Sequence, residues 1–424
     1  MWQGAPVERG VVVVGASLAG LRAVETLRTE GFDGPVTLVG AEDHLPYDRP
    51  PLSKKVLAGE WEPDRIALRR DGGLDALALD ARLGVRAVRL DPAERTVQLS
   101  DGDALAYDAL VIATGSEVRR LPGQPELDGL HMLRTLDDSL ALRAALTTGS
   151  PRVVVVGAGF IGSEVASTAH GLGCAVTVVE ALPVPLVRAL GTEMGAACAA
   201  LHRDNGVAVR LGVGVEGFDG RDRVEGVRLT DGTVVAADVV VVGVGVAPAT
   251  GWLEGSGLEL RDGVVCDASL AAGPPGVYAA GDVCRWPNEL FGEEMRVEHW
   301  TNAAEQGAHA ARAILAVAAG ERPAPYAPVP FFWSDQYGLK LQFLGRAGPD
   351  DEVRVVHGTA DGCGDGGSPG EPAGERGFVA LYGRAGRLRG VLGLARPKLV
   401  MGYLKLLAAG ITWDDALAHA AAAS

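Results

Sequence analysis

VVVVGAGFIG, residues 153–162, is the stretch of sequence that decides the fold of this chain. Four consecutive valines predict a strand that is buried on both faces, and the glycine turn leads into a helix that runs to about Leu172. A second strand at residues 175–179 completes a βαβ unit. Glycines in such a turn let the backbone and the first amides of the helix approach a pyrophosphate, so the unit is typical of a dinucleotide site.

The candidate ligands of this unit lie in the turn and after the second strand. Glu180 follows Gly157 by 23 residues, where a carboxylate can accept hydrogen bonds from both hydroxyls of an adenosine ribose. A free 2′-hydroxyl, as in NAD, is therefore favoured over a 2′-phosphate. A glycine-rich turn without a ligand is the alternative, which the combination of strand, helix, second strand and terminal acid disfavours. The candidates in this part of the chain are Gly157, Gly159, Ile161, Gly162, Glu180 and Gly245.

The same pattern occurs once more, in VVVVGASLAG at residues 11–20. Here Ser17 stands at the middle glycine position, and the acid after the second strand is displaced to Glu42. A serine in such a turn also suggests the nucleophile elbow of a hydrolase, but that motif requires glycine two residues later, where this chain has Ala19. We therefore interpret the unit as a second dinucleotide site, with the candidates Gly15, Ser17, Ala19, Gly20 and Glu42.

Two dinucleotide sites in one chain indicate hydride transfer between two cofactors. Each βαβ unit is closed by a later apolar strand, at residues 110–112 and 239–242, and a third such segment at 276–282 predicts that the first domain is split around the second. From about residue 325 the sequence is rich in proline and aromatic residues and then in short β-like runs. The predicted class is α/β, with two Rossmann-like dinucleotide-binding domains and a smaller C-terminal α+β domain.

Composition and charge disfavour several function classes. A chain of 424 residues with 47% hydrophobic and 22% charged residues suits a multidomain globular protein. The net charge of −15 argues against a nucleic acid or an anionic membrane as partner. We find neither an apolar run long enough to span a bilayer nor a secretion signal, so a soluble, cytoplasmic protein is expected. The five scattered cysteines indicate neither a zinc site nor a redox-active disulfide, and residues 357–377 are predicted to form a loop.

Four further segments carry a resemblance to a known family. They are HLPYDRPPLSK at 44–54, LRTL at 133–136, Gly281 with Asp282, and FWSDQY at 332–337. Over nearly its whole length the chain resembles the FAD-dependent, NADH-using ferredoxin reductases of bacterial oxygenase and cytochrome P450 systems, which are putidaredoxin reductase-like and have the glutathione-reductase-type fold. The closing strands and the change in composition predict domain boundaries near residues 118, 250 and 325. With the resemblance, they give an FAD-binding domain at 1–118 and 251–325, an NAD-binding domain at 119–250 and an interface domain at 326–424.

The resemblance also implies FAD ligands outside the glycine turn. Arg49 and Lys54 match positions against the flavin, where a cation stabilises the anionic reduced ring. Asp282 matches an acid that holds the ribityl hydroxyls. Solvated surface charges are the alternative for the two cations, and a core aromatic is the alternative for Trp300. The candidates of this kind are Arg49, Lys54, Val85, Thr114, Gly115, Arg134, Asp282 and Trp300.

The positions of the cysteines separate this chain from thiol-using relatives of the same fold. Dihydrolipoamide- and glutathione-type reductases carry a cysteine pair near the first flavin helix, and NADH peroxidases and oxidases carry one reactive cysteine. This sequence has no cysteine between Gly20 and Ile112. We therefore expect hydride transfer from NADH to FAD, followed by single-electron transfer to a ferredoxin-type iron–sulfur protein.

Two other functions remain as alternatives. One is an NADH-sensing flavoprotein that resembles apoptosis-inducing factor, which ranks lower because the long insertions and targeting sequence of that protein are not recognised here. The other is direct reduction of a small quinone or dye. The sequence leaves the oligomeric state open.

Two residue pairs are expected to act on hydride transfer and on partner binding. The resemblance pairs Lys54 with Glu164, which lies two residues after Gly162 and is expected in the first turn of the helix, so that the carboxylate orients Lys54 near flavin N5. The helix macrodipole also favours an acid in a first turn without any ligand. Trp333 matches a partner-facing position and Lys340 is close to it in sequence, although a core role is the alternative for Trp333. An acidic partner requires such a local basic patch on a chain of this net charge.

Overall fold

The computed structural model describes residues 9–69, 73–360 and 377–423, so residues 361–376 of the predicted loop lie outside the described residues. Its strands are β1 (Val11–Val14), β2 (Val36–Val39), β3 (Asp80–Arg82), β4 (Ala87–Asp91), β5 (Thr96–Leu99), β6 (Ala104–Ala106), β7 (Ala109–Ile112), β8 (Ser116–Val118), β9 (Leu130–His131), β10 (Arg152–Val156), β11 (Ala175–Glu180), β12 (Ala208–Leu211), β13 (Val215–Asp219), β14 (Gly226–Leu229), β15 (Val234–Ala236), β16 (Val239–Val242), β17 (Val246–Pro248), β18 (Val264–Val265), β19 (Val277–Ala279), β20 (Cys284–Asn288), β21 (Glu293–Arg296), β22 (Phe331–Gln336), β23 (Leu339–Gly345), β24 (Glu352–His357), β25 (Phe378–Arg384) and β26 (Arg387–Leu394). Its helices are α1 (Leu18–Thr29), α2 (Leu136–Thr147), α3 (Phe160–Gly171), α4 (Val187–Asp204), α5 (Trp300–Ala318), α6 (Pro397–Gly402), α7 (Leu404–Ala408) and α8 (Trp413–Ala422).

Contacts within the chain divide it into two compact units, each assembled from three segments. The first unit comprises the segment up to Asp48 together with Asp64–Glu117 and Ala247–Pro330. The second comprises Arg49–Pro63, Val118–Val246 and the segment from Phe331 onward. The finer division at residues 118, 250 and 325 stays a prediction.

The first unit is built on a parallel sheet with the strand order β19-β7-β1-β2-β3. Val11 and Val13 pack in the core that α1 and α5 share, whereas Val12 and Val14 pack in a core on the opposite face. The run of four valines therefore has no polar alternation because both faces of β1 are covered. β19, from the third glycine-containing segment, lies beside β7 in this sheet.

Helices α1 and α5 approach each other closely in the first unit. A Cβ atom at Gly307 of α5 would lie 2.1 Å from the carbonyl oxygen of Ala19, so only glycine permits this approach. The contact holds the start of α1 beside α5.

The second unit contains another parallel sheet, with the order β12-β11-β10-β16-β9. Val154 and Val156 of β10 and Val240 of β16 pack against a layer that includes Val227 of the small antiparallel sheet β13-β14-β15. This arrangement repeats the doubly buried parallel strand of the first unit, as the repeated sequence pattern predicted.

The C-terminal part of the second unit is an antiparallel sheet with the order β22-β23-β26-β25-β24, followed by α6, α7 and α8. Leu190 and Met194 of α4 pack in one core with Phe343 and Tyr382 of this sheet. The predicted α/β class with a C-terminal α+β part is confirmed. Among the described residues, none of the helices combines the length and the apolar character needed to cross a bilayer.

Candidate functional site

The glycine turn of the second unit leaves room for a ligand at the start of α3. A Cβ atom at Gly157 would lie 2.4 Å from the carbonyl oxygen of Gly243, and one at Gly162 would lie 2.0 Å from that of Gly157, so protein packing requires both glycines. A Cβ atom at Gly159 would meet nothing within 4 Å. Packing therefore does not require Gly159, the middle glycine, and its missing side chain leaves open space at the helix N-terminus. This cradle fits the pyrophosphate of NAD.

Glu180 ends β11 and faces this turn. Its carboxylate accepts a hydrogen bond from the amide of Ala158 at 2.8 Å and one from the amide of Leu182 at 2.9 Å. Each bond involves a different carboxylate oxygen, so both retain acceptor capacity for a ribose hydroxyl.

Two other candidates of the second unit lie around the same turn. Ile161, in the first turn of α3, is 46% exposed, which is unusual for a large apolar side chain and leaves it available to a ligand. Gly245 follows β16, has a φ of +98° and is exposed. Its carbonyl accepts a hydrogen bond from the amide of Arg119.

The glycine turn of the first unit has the same two close packing contacts. Cβ atoms at Gly15 and Gly20 would lie 2.1 Å from the carbonyl oxygen of Ala113 and 1.9 Å from that of Gly15. Ser17 is the N-cap residue of α1, and its hydroxyl does not cap the helix. Ala19 is buried against α5. The turn therefore presents the amides of the helix start in a glycine cradle, which fits the pyrophosphate of FAD.

Glu42 and Val85 lie near this turn, at the carboxyl end of β2. The amide of Gly15 donates to the carbonyl of Val39, the last residue of β2, at 2.8 Å. The Glu42 carboxylate accepts a hydrogen bond from the Tyr47 hydroxyl at 2.5 Å. The amide of Val85 donates to the carbonyl of Gly40 at 2.9 Å. Both candidates thus lie at the edge of the sheet where the adenosine part of FAD is expected.

The remaining candidates of the first unit follow β7 and β19 or begin α5. Thr114 donates its hydroxyl hydrogen to the carbonyl of Ala249 at 2.9 Å, and Gly115 has a φ of +69°. Asp282 accepts a hydrogen bond from the hydroxyl of Ser116 at 2.8 Å.

Trp300 is the first residue of α5 and is partly buried. Its indole N–H donates to the carboxylate of Asp48 at 2.6 Å. A polar partner for the indole N–H fixes the ring orientation.

Arg49 and Arg134 belong to the second unit, where their segments meet. A guanidinium N–H of Arg49 donates to the carbonyl of Arg134 at 2.6 Å. The amide of Arg134 donates to the carboxylate of Asp138, at the start of α2. The two cations predicted to contact FAD are therefore held together by backbone and side-chain bonds.

Lys54 and Glu164 form an ion pair in the second unit. The distance between Lys54 Nζ and Glu164 Oε2 is 2.7 Å, and the side chains are 16% and 3% exposed. Lys54 Nζ also donates to the carbonyl of Pro50 at 3.1 Å. A nearly buried carboxylate requires such a partner, because an unpaired charge is costly to bury.

The expectation that Glu164 lies in the first turn of the helix is wrong. α3 begins at Phe160 after the N-cap residue Gly159, and its first turn contains no acidic residue. Glu164 is one turn farther along, where the helix macrodipole contributes little. Its position is therefore explained by its side-chain partners.

Sequence reasoning missed two of these partners. The hydroxyl of Ser53 donates to Glu164 Oε2 at 2.6 Å, and the hydroxyl of Ser334 donates to Oε1 at 2.7 Å. Ser334 is fully buried within β22, and a serine inside an aromatic strand sequence was the signal that could have identified it.

A buried histidine lies beside this cluster. His202 of α4 has Nδ1 2.6 Å from the Tyr337 hydroxyl and Nε2 3.2 Å from the Ser163 hydroxyl. Burial, and to a smaller extent the neighbouring Arg203, lowers the pKa of His202 to about 4. The imidazole is therefore neutral at physiological pH.

The partner-binding candidates lie together in the C-terminal sheet. Lys340 Nζ is 2.7 Å from a carboxylate oxygen of Asp335 and 6.0 Å from the centre of the Trp333 ring. The Lys340 side chain is exposed and Trp333 is partly exposed. Asp335 neutralises part of the Lys340 charge, so this basic patch is smaller than the sequence suggested.

The chain matches two known families along its length. Residues 9–307 match the pyridine nucleotide-disulphide oxidoreductase family. Residues 331–424 match the reductase C-terminal family.

The chain is also similar to individual reductases. The ferredoxin–NAD(+) reductase component of the biphenyl dioxygenase system of Paraburkholderia xenovorans is 40% identical over 351 residues, 82% of this chain and 84% of that protein. Rhodocoxin reductase of Rhodococcus erythropolis is 37% identical over 402 residues, 94% and 89% of the two chains. A chain in the crystal structure of the covalent putidaredoxin reductase–putidaredoxin complex is 30% identical, with a TM-score of 0.88 over 99% of both chains.

Proposed function

Because the chain belongs to the pyridine nucleotide-disulphide oxidoreductase family and carries a reductase C-terminal domain, we propose that it is a flavoprotein reductase that takes hydride from NADH and supplies single electrons to a ferredoxin-type iron–sulfur protein. Its cofactors are FAD and NAD(H). The terminal acceptor of the electrons is an oxygenase or a cytochrome P450, as the names of its relatives indicate.

The buried ion pair between Lys54 and Glu164 is the observation that carries this proposal. It lies one turn beyond the NAD cradle of α3, so a nicotinamide bound at this helix comes near a fixed cation. The segment before the second βαβ unit has no cysteine between Gly20 and Ile112 that could relay electrons to a disulfide or peroxide. The chemistry is therefore that of a cation-assisted flavin, not of a thiol.

The residues of the chain have separate tasks in this reaction. When bound, FAD would supply a two-electron acceptor for the hydride of NADH and a one-electron donor for the iron–sulfur protein. The glycine cradles bind the two pyrophosphates, and Glu180 binds the adenosine ribose of NADH. Lys54, held by Glu164, places a positive charge where negative charge develops. Arg49 and Arg134 add positive charge from the same unit.

The partner surface is assigned to Trp333 and Lys340. An exposed cation next to a partly exposed aromatic ring suits an acidic iron–sulfur protein, because aromatic and basic residues supply much of the binding energy and orientation at such interfaces. Soluble carriers such as NADH and ferredoxin are present in the cytoplasm, so we assign the protein to that compartment.

The experiment follows the electrons in two steps. The flavin of the purified protein is first identified by chromatography of the denatured extract, and it is then reduced anaerobically with NADH. Cytochrome c reduction is measured next, with and without a panel of ferredoxins. A ferredoxin-dependent rate supports the proposal. Rapid reduction by NADH without any ferredoxin-dependent rate would favour an NADH-sensing flavoprotein, and FMN in place of FAD would contradict the cofactor assignment.

A further inference from the structure

The carboxylate of Glu164 is held on both oxygens by elements that are far apart in sequence. Oε2 faces Ser53 and Lys54, which lie in the short helical turn that follows β2. Oε1 accepts its hydrogen bond from Ser334, on β22 of the C-terminal sheet. The C-terminal sheet therefore contributes directly to the cluster that orients Lys54.

The direction of these hydrogen bonds is determined by the groups that form them. Gln336 Nε2 donates to the oxygen of Ser334 at 3.1 Å. The single hydroxyl hydrogen of Ser334 is then available to Glu164, which as an ionised carboxylate only accepts. The other amide atom, Gln336 Oε1, is buried and makes no hydrogen bond to the described residues. A buried amide with one unsatisfied oxygen lowers the stability of the fold. We therefore assign the hydrogen bond to Ser334 as the role of the Gln336 side chain.

The spacing of β22 matches that of α3. The Phe332 and Phe160 rings are 4.6 Å apart, and two residues farther along the strand Ser334 reaches Glu164, four residues farther along the helix. Four helical residues rise about 6 Å and two strand residues about 6.7 Å, so the strand and the helix stay in register along this contact. The register places a hydroxyl, not an apolar group, opposite the carboxylate.

We propose that Ser334 is a positioning residue for hydride transfer. It holds Glu164 from the C-terminal sheet, and Glu164 in turn holds Lys54; Gln336 orients the Ser334 hydroxyl. This inference rests on the proposed function. Trp333 and Ser334 are consecutive residues, so their side chains leave opposite faces of β22. One face of this strand then serves partner binding through Trp333, and the other serves the reduction of the flavin through Ser334.

The test measures the rate constant for flavin reduction by NADH in the holoenzyme by anaerobic stopped flow. Ser334→Ala removes the donor to Oε1 and is expected to lower this rate constant by roughly tenfold, the effect of losing one hydrogen bond to a charged group. The dissociation constant of NAD⁺, measured by calorimetry, should change less than twofold. Ser334→Thr retains a hydroxyl and should restore most of the rate.

Tyr382→Phe is the matched control. It also removes one buried hydroxyl from the C-terminal sheet, which donates to the carbonyl of Leu190 at 2.8 Å and does not contact Glu164. This variant should lower the thermal unfolding midpoint about as much as Ser334→Ala does while leaving the rate constant of flavin reduction unchanged.

Two further variants distinguish positioning from general loss of structure. Gln336→Leu removes a partly unsatisfied buried amide, so the thermal unfolding midpoint should not change. The Ser334 hydroxyl remains but is no longer oriented by Gln336, so the rate constant of flavin reduction should fall about threefold. In a Glu164→Gln background, Ser334→Ala should change the rate less than twofold, because Ser334 acts through the carboxylate.

The outcomes separate this inference from the proposed function. A wild-type flavin that NADH does not reduce would overturn the proposed function. With a normally reduced wild-type flavin, equal effects of Ser334→Ala and Tyr382→Phe on the rate would overturn the positioning role. Additive effects of Ser334→Ala and Glu164→Gln would overturn it as well.

Discussion

Glu164→Gln tests whether the buried charge beside Lys54 assists hydride transfer. Glutamine has nearly the same shape, so the variant should fold. Its amide nitrogen must face a group that can accept a hydrogen bond, and the oxygen of Ser334 can do so whereas Lys54 cannot. The amide oxygen then stays toward Ser53 and Lys54. The change therefore removes the negative charge and reverses the hydrogen bond to Ser334, which accepts in the variant and donates in the native protein.

The magnitude follows from the geometry of the pair. Lys54 Nζ lies 2.7 Å from a carboxylate that is 3% exposed. Replacing a charge-assisted bond by a neutral one at such a site costs about 2 kcal/mol. If Lys54 must stay in place as charge develops in the transition state, that energy corresponds to about a 30-fold lower rate constant.

Anaerobic stopped flow with NADH measures this rate constant, and the dependence on NADH concentration gives the binding constant separately. We expect binding to change less than about threefold, since the cradle at Gly157–Gly162 is untouched. Lys54→Met should show a similar loss and should also shift the flavin potential. Wild-type kinetics of flavin reduction in Glu164→Gln would refute the reasoning and leave Glu164 as a structural carboxylate.

Three other predictions concern specificity, docking and stability. Glu180→Ala should lower the ratio of kcat/KM for NADH over NADPH by about tenfold, because the carboxylate that binds the ribose and repels a 2′-phosphate is lost; an unchanged ratio would contradict the assignment. Lys340→Glu places a second acid beside Asp335 and should raise KM for ferredoxin several-fold at low salt and less at high salt. Ferricyanide reduction should stay intact, and Lys398→Glu, another exposed lysine, serves as control; equal loss of both activities would indicate misfolding. The folded-state pKa of His202 is about 4, below its value of about 6.5 in an unfolded chain, so its stabilising contribution is complete above pH 6.5 and is lost as the pH falls toward 4. Urea unfolding should show about 2 kcal/mol less stability at pH 5 than at pH 7 from this group, and a His202→Gln variant with the same pH dependence would exclude this origin.

Much of the fold was predictable from sequence because its signals are local. Four valines followed by spaced glycines predict a buried parallel strand and a turn into a helix, and this pattern occurs at β1 and at β10. The fold class is confirmed, and the cofactors and reductase function that the family resemblance implied agree with the families and relatives that the chain matches. The individual cofactor and partner residues remain predictions.

The glycines show which close contacts the local sequence predicts and which it does not. Gly162 is required because its helix starts against the turn, and the motif itself implies that contact. Gly307 is required by the approach of α5 to α1, which brings together segments nearly 300 residues apart, and no local pattern identified it.

The sequence by itself determined the two nucleotide cradles, the acid that follows β11 and the pairing of Lys54 with Glu164 through family resemblance. Only the tertiary structure showed that Glu164 lies in the second turn of α3 and that Ser53 and Ser334 hold its two oxygens. Those serines are 111 and 170 positions away from Glu164 along the chain. A hydroxyl becomes a ligand of a buried carboxylate only when packing removes both from water and aligns them. That alignment depends on the register of β22 against α3, which nothing in the local sequence of either element encodes.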